Sequence, residues 1–211
     1  MLGLMIRDLM VQRKRLWVMV MYCVLFPVLF KSMEQAALVV VMIASVYMML
    51  LTAFAYDDKY NADGTMASLP IKREMLVMVR YFEVPILAIT AVLLYMLATA
   101  LMAPWMPGLF PTQLLLPAAG FLAASLMSGL YMPIIYRFGY VKARIFNLVI
   151  FMLFFGVIPV TGIIGGWGIE LPVWLATASE GLVTLLLIVA GIAVLTISCM
   201  ISMRMYRKRE F

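Results

Sequence analysis

Residues 36–56 read AALVVVMIASVYMMLLTAFAY, a run without a single charge, and residues 57–73 follow at once as DDKYNADGTMASLPIKR. The first of these runs decides the fold. A helix rises about 1.5 Å per residue, so about 20 apolar residues cross the roughly 30 Å hydrocarbon core of a bilayer. The rest of the chain repeats the pattern. Of 211 residues 66% are apolar and 12% charged, whereas soluble domains carry about 25% charged residues. An all-α, polytopic membrane protein with six transmembrane helices is predicted, over Leu16–Met33, Ala36–Tyr56, Phe82–Ala103, Leu114–Tyr136, Ile145–Gly166 and Gly181–Met203. No connection between them is long enough to fold alone, so residues 1–211 read as a single membrane domain.

The first span is interrupted, with Pro27 inside it and an uncharged run only over Leu16–Phe30. A cleaved signal peptide is the alternative there. It would begin soon after a short basic start and end at small residues, but MLGLMIRDLM precedes the basic cluster and no Ala-x-Ala follows Phe30.

Positive residues in short loops stay on the cytoplasmic side. Arg7, Arg13, Lys14 and Arg15 precede the first span, and Lys59, Lys72, Arg73 and Arg80 lie between the second and third. Arg137, Lys142 and Arg144 separate the fourth from the fifth, and Arg204, Arg207, Lys208 and Arg209 follow the sixth. Lys31 is left alone on the other side, so both termini are expected in the cytoplasm. Trp105, Trp167 and Trp174 fall at the opposite face, at headgroup depth. The net charge of +6 is thereby explained without nucleic acid.

There is no histidine in the chain, which removes the usual general base and the commonest zinc ligand. No GxxxxGK[ST] loop is present, so the chain does not bind ATP in that manner. Catalytic residues and metal ligands are expected to be absent. The predicted spans are almost free of ionisable groups, with Glu83 and Glu180 at span edges. Secondary carriers keep such groups buried to hold the coupling ion, so energy is expected to enter from elsewhere. Cys23 and Cys199 read as small buried residues rather than a disulfide.

Gly120, Ala124 and Ser128 recur every four residues in the fourth span, and Gly162 and Gly166 repeat the spacing in the fifth. Such stripes allow close helix approach, within the chain or between two chains. The 21 methionines suit either a core or a pliable apolar surface.

The charged run at 57–73 opens the longest loop, residues 57–81. Asn61 and Asp63 have side chains suited to starting a short helix near Ala62–Leu69. Pro70 fits the first turn of a second helix, in which Ile71, Met75, Met78 and Phe82 share an apolar face while Lys72, Arg73 and Arg80 remain polar. That is a lateral helix leading into the third span. A solvated loop obeying the orientation rule explains the cations but not the aspartates, the length or the helix, for which a docked partner is the better reading.

This loop, with Asp57, Asp58 and Lys59, then Ser68, Leu69 and Pro70, then Lys72 and Arg73, resembles the small permease subunits of type 2 ATP-binding cassette exporters. It is similar in particular to the small six-span bacterial group that exports peptides such as phenol-soluble modulins. The resemblance implies a coupling helix in the loop that fits a groove on a separate ATPase subunit, with Asp63 among the contacting residues. It implies ATP and Mg on that partner, no cofactor on this chain, and a pathway formed by two permease chains in the bacterial plasma membrane. Leu2, Met5, Ile6, Leu9 and Met10 against Arg7, Asp8 and Arg13 resemble the family's elbow helix, over residues 1–15, lying along the interface. Arg137, Lys142 and Arg144, in RFGYVKAR, would make a second contact with the ATPase; a basic turn drawn to anionic lipid explains them equally. Two other functions stay open on the residues alone: a self-sufficient channel or secondary carrier, and a non-transporting scaffold or immunity protein.

Overall fold

The computed structural model describes residues 16–29, 37–60, 73–104, 114–146, 148–152 and 179–207. Among them there is no strand. The helices are α1 (Leu16–Leu29), α2 (Ala37–Lys59), α3 (Arg73–Met102), α4 (Leu115–Phe138), a helical stretch α5 over 140–146 and 148–152, and α6 (Glu180–Arg207). Four of these, α2, α3, α4 and α6, are long and apolar enough to cross a membrane. α1, with 14 residues, reaches about 21 Å, less than the hydrocarbon thickness. The predicted elbow (1–15), the helix near 62–69, the glycines of the fifth span and the three interfacial tryptophans lie outside the described residues.

The loop between the second and third spans is shorter than its sequence suggests. α2 runs on through Asp57, Asp58 and Lys59, and α3 begins at Arg73. The predicted lateral helix and third span are therefore one helix of 30 residues, about 45 Å long. Pro85 sits inside it, as Pro27 does in α1 and Pro133 in α4. Each removes one backbone hydrogen bond, a loss that helices packed in a membrane tolerate.

Side-chain pairings fix the directions. Phe54 of α2 meets Tyr131 and Tyr136 of α4 at ring-centroid distances of 6.0 and 5.7 Å, and Met42 lies against Gly120. In α6, Gly191 faces Phe121 and Ser125, Val194 and Ser198 face Gly129, and Tyr206 meets Tyr136 at 5.3 Å. Along all three helices the numbers rise together, so α2, α4 and α6 are parallel. α3 runs against them, since Arg80 reaches Asp57 and Tyr81 reaches Ser198 and Ser202. Parallel α4 and α6 place Phe138 and Ser179 at opposite ends of the bundle, and the chain between them connects those ends.

The core lies where α2, α3 and α4 meet, around Leu38, Met42, Leu50, Val84, Tyr95 and Tyr131. The stripe of Gly120, Ala124 and Ser128 is buried within the chain. Cys23 and Cys199 are free thiols, the first buried. α4 ends at Gly139, whose φ of 77° favours glycine. Its N–H donates to the Ile135 carbonyl at 2.8 Å, and its own carbonyl accepts from Ala143 at 3.0 Å, so α5 starts one residue later. Lys142 and Arg144 thus stand on the opening turns of a helix rather than in a loop.

The two glycine contacts differ in kind. A Cβ on Gly191 would fall 2.7 Å from Phe121 Cε1, a rigid ring; one on Gly120 would fall 2.5 Å from Met42 Sδ, which can rotate away. Gly191→Ala should lower unfolding free energy by about 1–3 kcal/mol and Gly120→Ala by less than about 1 kcal/mol, measured by thermal unfolding in detergent.

Candidate functional site at the basic end of the bundle

Lys59, Arg80, Arg137, Arg204 and Arg207 gather where α2, α4 and α6 end and α3 begins. One of them is not on the surface. Arg80 is 6% exposed and Glu83 1%, against the expectation of a polar lateral face for Arg80. With the helix already running at Arg73, both residues are carried into the bundle.

Burial forces pairing, because an ion without water must find opposite charge and hydrogen bonds. Arg80 Nη1 donates to Glu83 Oε2 at 3.0 Å and more weakly to Oε1 at 3.4 Å. Its Nη2 donates to Asp57 Oδ2 at 2.5 Å. The guanidinium carbon stands 5.6 Å from the centroid of the Phe54 ring, within cation–π range. The planar fork of arginine is what lets one side chain serve two carboxylates on two helices. It also offsets the poor placement of Asp57, an anion at a helix C-terminus, where the dipole favours cations.

Of the residues expected to couple to a partner, Asp57 is therefore held inward by Arg80, while Asp58 and Lys59 are exposed in the last turn of α2. Asp63, Ser68, Leu69, Pro70 and Lys72 lie outside the described residues, and Arg73 opens α3. Arg137 is exposed over the Phe138 ring at 5.2 Å, and Lys142 and Arg144 are exposed on α5. An outer ion pair, Arg207 with Glu74, ties α6 to α3 at the surface, where such pairs contribute little.

A second polar group sits beside the first. The Tyr81 hydroxyl lies 2.7 Å from both Ser198 Oγ and Ser202 Oγ, and Ser198 donates to the Gly129 carbonyl at 2.6 Å. With the Ser198 proton committed to a carbonyl, Tyr81 donates to Ser198 and accepts from Ser202. The chain of hydroxyls joins α3, α6 and α4.

Outward from Tyr81 a groove of about 690 Å3 runs between α3, α4 and α6, past Phe82, Ile89 and Leu93 on one side and Phe121, Ile188 and Ile192 on the other. Its hydroxyls are already bonded within the protein: Tyr81 as above, Thr184 to the Glu180 carbonyl and Thr196 to the Ala193 carbonyl. The walls therefore offer hydrocarbon.

A double-mutant cycle on Tyr81→Phe and Ser202→Ala should return a coupling of about 0.6 kcal/mol and no more than about 1.7 kcal/mol, the range for hydroxyl bonds between membrane helices. Unfolding in detergent micelles checks it.

No curated protein and no solved structure matches the chain. A family model does, described as ABC-2 family transporter protein, over residues 3–207. That match covers nearly the whole chain, and four of the described helices are long and apolar enough to cross a membrane; the chain belongs to the ABC-2 transporter family and is a transmembrane subunit of an ATP-binding cassette transporter.

Proposed function

We propose that this chain is the permease of an ATP-driven exporter of hydrophobic or amphipathic cargo, with peptides as the cargo class. The observation that carries the reading is the family match over residues 3–207. The helix ends that flank residues 60–72 support it. Asp58 and Lys59 are presented at the end of α2, and Arg73 opens the 30-residue α3, so the loop leaves and enters the bundle through two long helices. A partner gripping Asp58, Lys59, Asp63, Ser68, Leu69, Pro70, Lys72 and Arg73 has direct purchase on both, and Asp57 anchors the grip from inside.

On this reading the basic end faces the cytoplasm of a bacterial cell and both termini lie there. The chain crosses the plasma membrane six times, with residues 1–15 as an elbow along the interface. ATP and Mg act on the separate ATPase subunit, and two permease chains, identical or paired, frame the pathway. ATP-driven closure of the ATPases favours one arrangement of the spans by binding it better than the other. Arg137, Lys142 and Arg144 form the second, lesser contact. The bonded hydroxyls and apolar walls of the groove between α3, α4 and α6 support a cargo with a greasy face.

In proteoliposomes, the chain with its ATPase should move a fluorescent amphipathic helical peptide only when ATP is supplied. Lys72→Glu with Arg73→Glu should weaken ATPase binding about tenfold or more. Uphill flux without the ATPase would instead identify a secondary carrier, and ATPase binding without any flux a scaffold.

A further inference from the structure

Residues 60–72 join the end of α2 to the start of α3, and a pull on them is useful only if those ends resist separation. Asp57 lies two residues before the end of α2, and Arg80 lies seven residues into α3, about 10 Å along the axis. Their contact ties the end of α2 to the beginning of α3. Glu83 holds the same guanidinium on its own helix, fixing the direction in which it points. Phe54, one turn before Asp57, carries the contact onward: its ring lies under Arg80 and packs edge-on against Tyr131 and Tyr136 of α4.

We infer that Arg80 is a positioning residue that makes the bases of α2 and α3 move as one body, so that force on the loop reaches both spans together and, through Phe54, α4. This rests on the reading of the chain as an ATPase-driven permease. It is distinct from stabilisation. A buried ion pair contributes little net stability, and apolar residues of similar volume commonly replace one without loss. If the cluster only held the fold together, replacing all of it by apolar side chains would leave function intact. If it is a lever, that replacement leaves a folded protein whose spans no longer follow the loop. Lysine is no substitute, being a point charge without the fork that bridges two carboxylates.

The test compares the unmodified chain with Asp57→Leu/Arg80→Met/Glu83→Leu, both in complex with the ATPase. A fluorophore on Leu114→Cys, at the far end of α4, reports the response to ATP and vanadate, with Cys23→Ala and Cys199→Ser as background. At saturating ATPase, with the signal taken per bound complex, the nucleotide-driven response of the triple variant at position 114 should fall about fivefold or more; Arg80→Lys should fall between. An equal signal in the two chains would overturn the lever and leave the permease reading standing. No signal in the unmodified complex would remove that reading and the lever with it.

A second measurement does not use the triple variant and so guards against its misfolding. Spin labels at Tyr60→Cys and Phe82→Cys should give one narrow distance in the chain that retains Arg80, unchanged by ATPase and nucleotide, and a broadened one in Arg80→Gln. A distance that is broad from the start, or that shifts with nucleotide, would show that the two bases move separately and would overturn the proposal.

Discussion

The structure turns on a guanidinium shared between two helices. Arg80 is nearly without exposure and faces Asp57 and Glu83, so the ends of α2 and α3 cannot be drawn apart without stranding charge in a medium that does not solvate it. Every other feature of the basic end is arranged around that constraint. α2 keeps its helix through two aspartates, α3 starts well before its apolar stretch, and Phe54 turns its ring toward the cation. Residues 60–72 connect the two helix ends thus joined.

The remaining helices divide by how they are held. α2, α4 and α6 run parallel and touch through small side chains, with Gly120 under Met42, Gly129 under Ser198 and Gly191 under Phe121. Where helices have no hydrophobic drive to associate, close approach and hydroxyl bonds take its place. α3 runs against this block and is tied to it by Arg80 and Tyr81 toward its beginning, while farther along Ile89 and Leu93 border the apolar groove. One face of α3, with Val84, Ala91 and Tyr95, is packed in the core, while another borders the groove.

Much of the fold is legible in the residues because lipid imposes a simple rule. The charge-free windows place α2, α4 and α6 within a few residues of their observed bounds. The stripe at Gly120, Ala124 and Ser128 signals close contact, although its spacing is silent on which helix answers it. The ion cluster was hidden for a specific reason. Beginning the third span at Phe82 leaves Arg80 outside the membrane, where a cation needs no partner. The available signal was the three-residue spacing of Arg80 and Glu83, one turn of helix apart, with Asp57 closing the preceding apolar run. Nothing in hydropathy pairs Tyr81 with Ser198 and Ser202, since their separation of more than a hundred residues is a fact of packing alone.

The cluster also bears on where energy enters. A carrier driven by an ion gradient needs a carboxylate near mid-membrane that binds and releases the ion. Glu83 is buried and Asp57 partly so, but at the end of the bundle, and both are engaged by one arginine that does not lose its proton. Their chemistry holds helices rather than ions. Glu74, at the same end, is paired with Arg207, and Glu180 lies exposed at the opposite end. Among the described residues the acidic groups thus stand at the ends of the bundle, away from the middle of the crossing. The absence of a phosphate-binding loop from the sequence removes the chain's own use of ATP in that form. On the proposed reading, work is delivered from outside, and Arg80 joins the two helix ends, at Lys59 and Arg73, that flank the segment proposed to receive it.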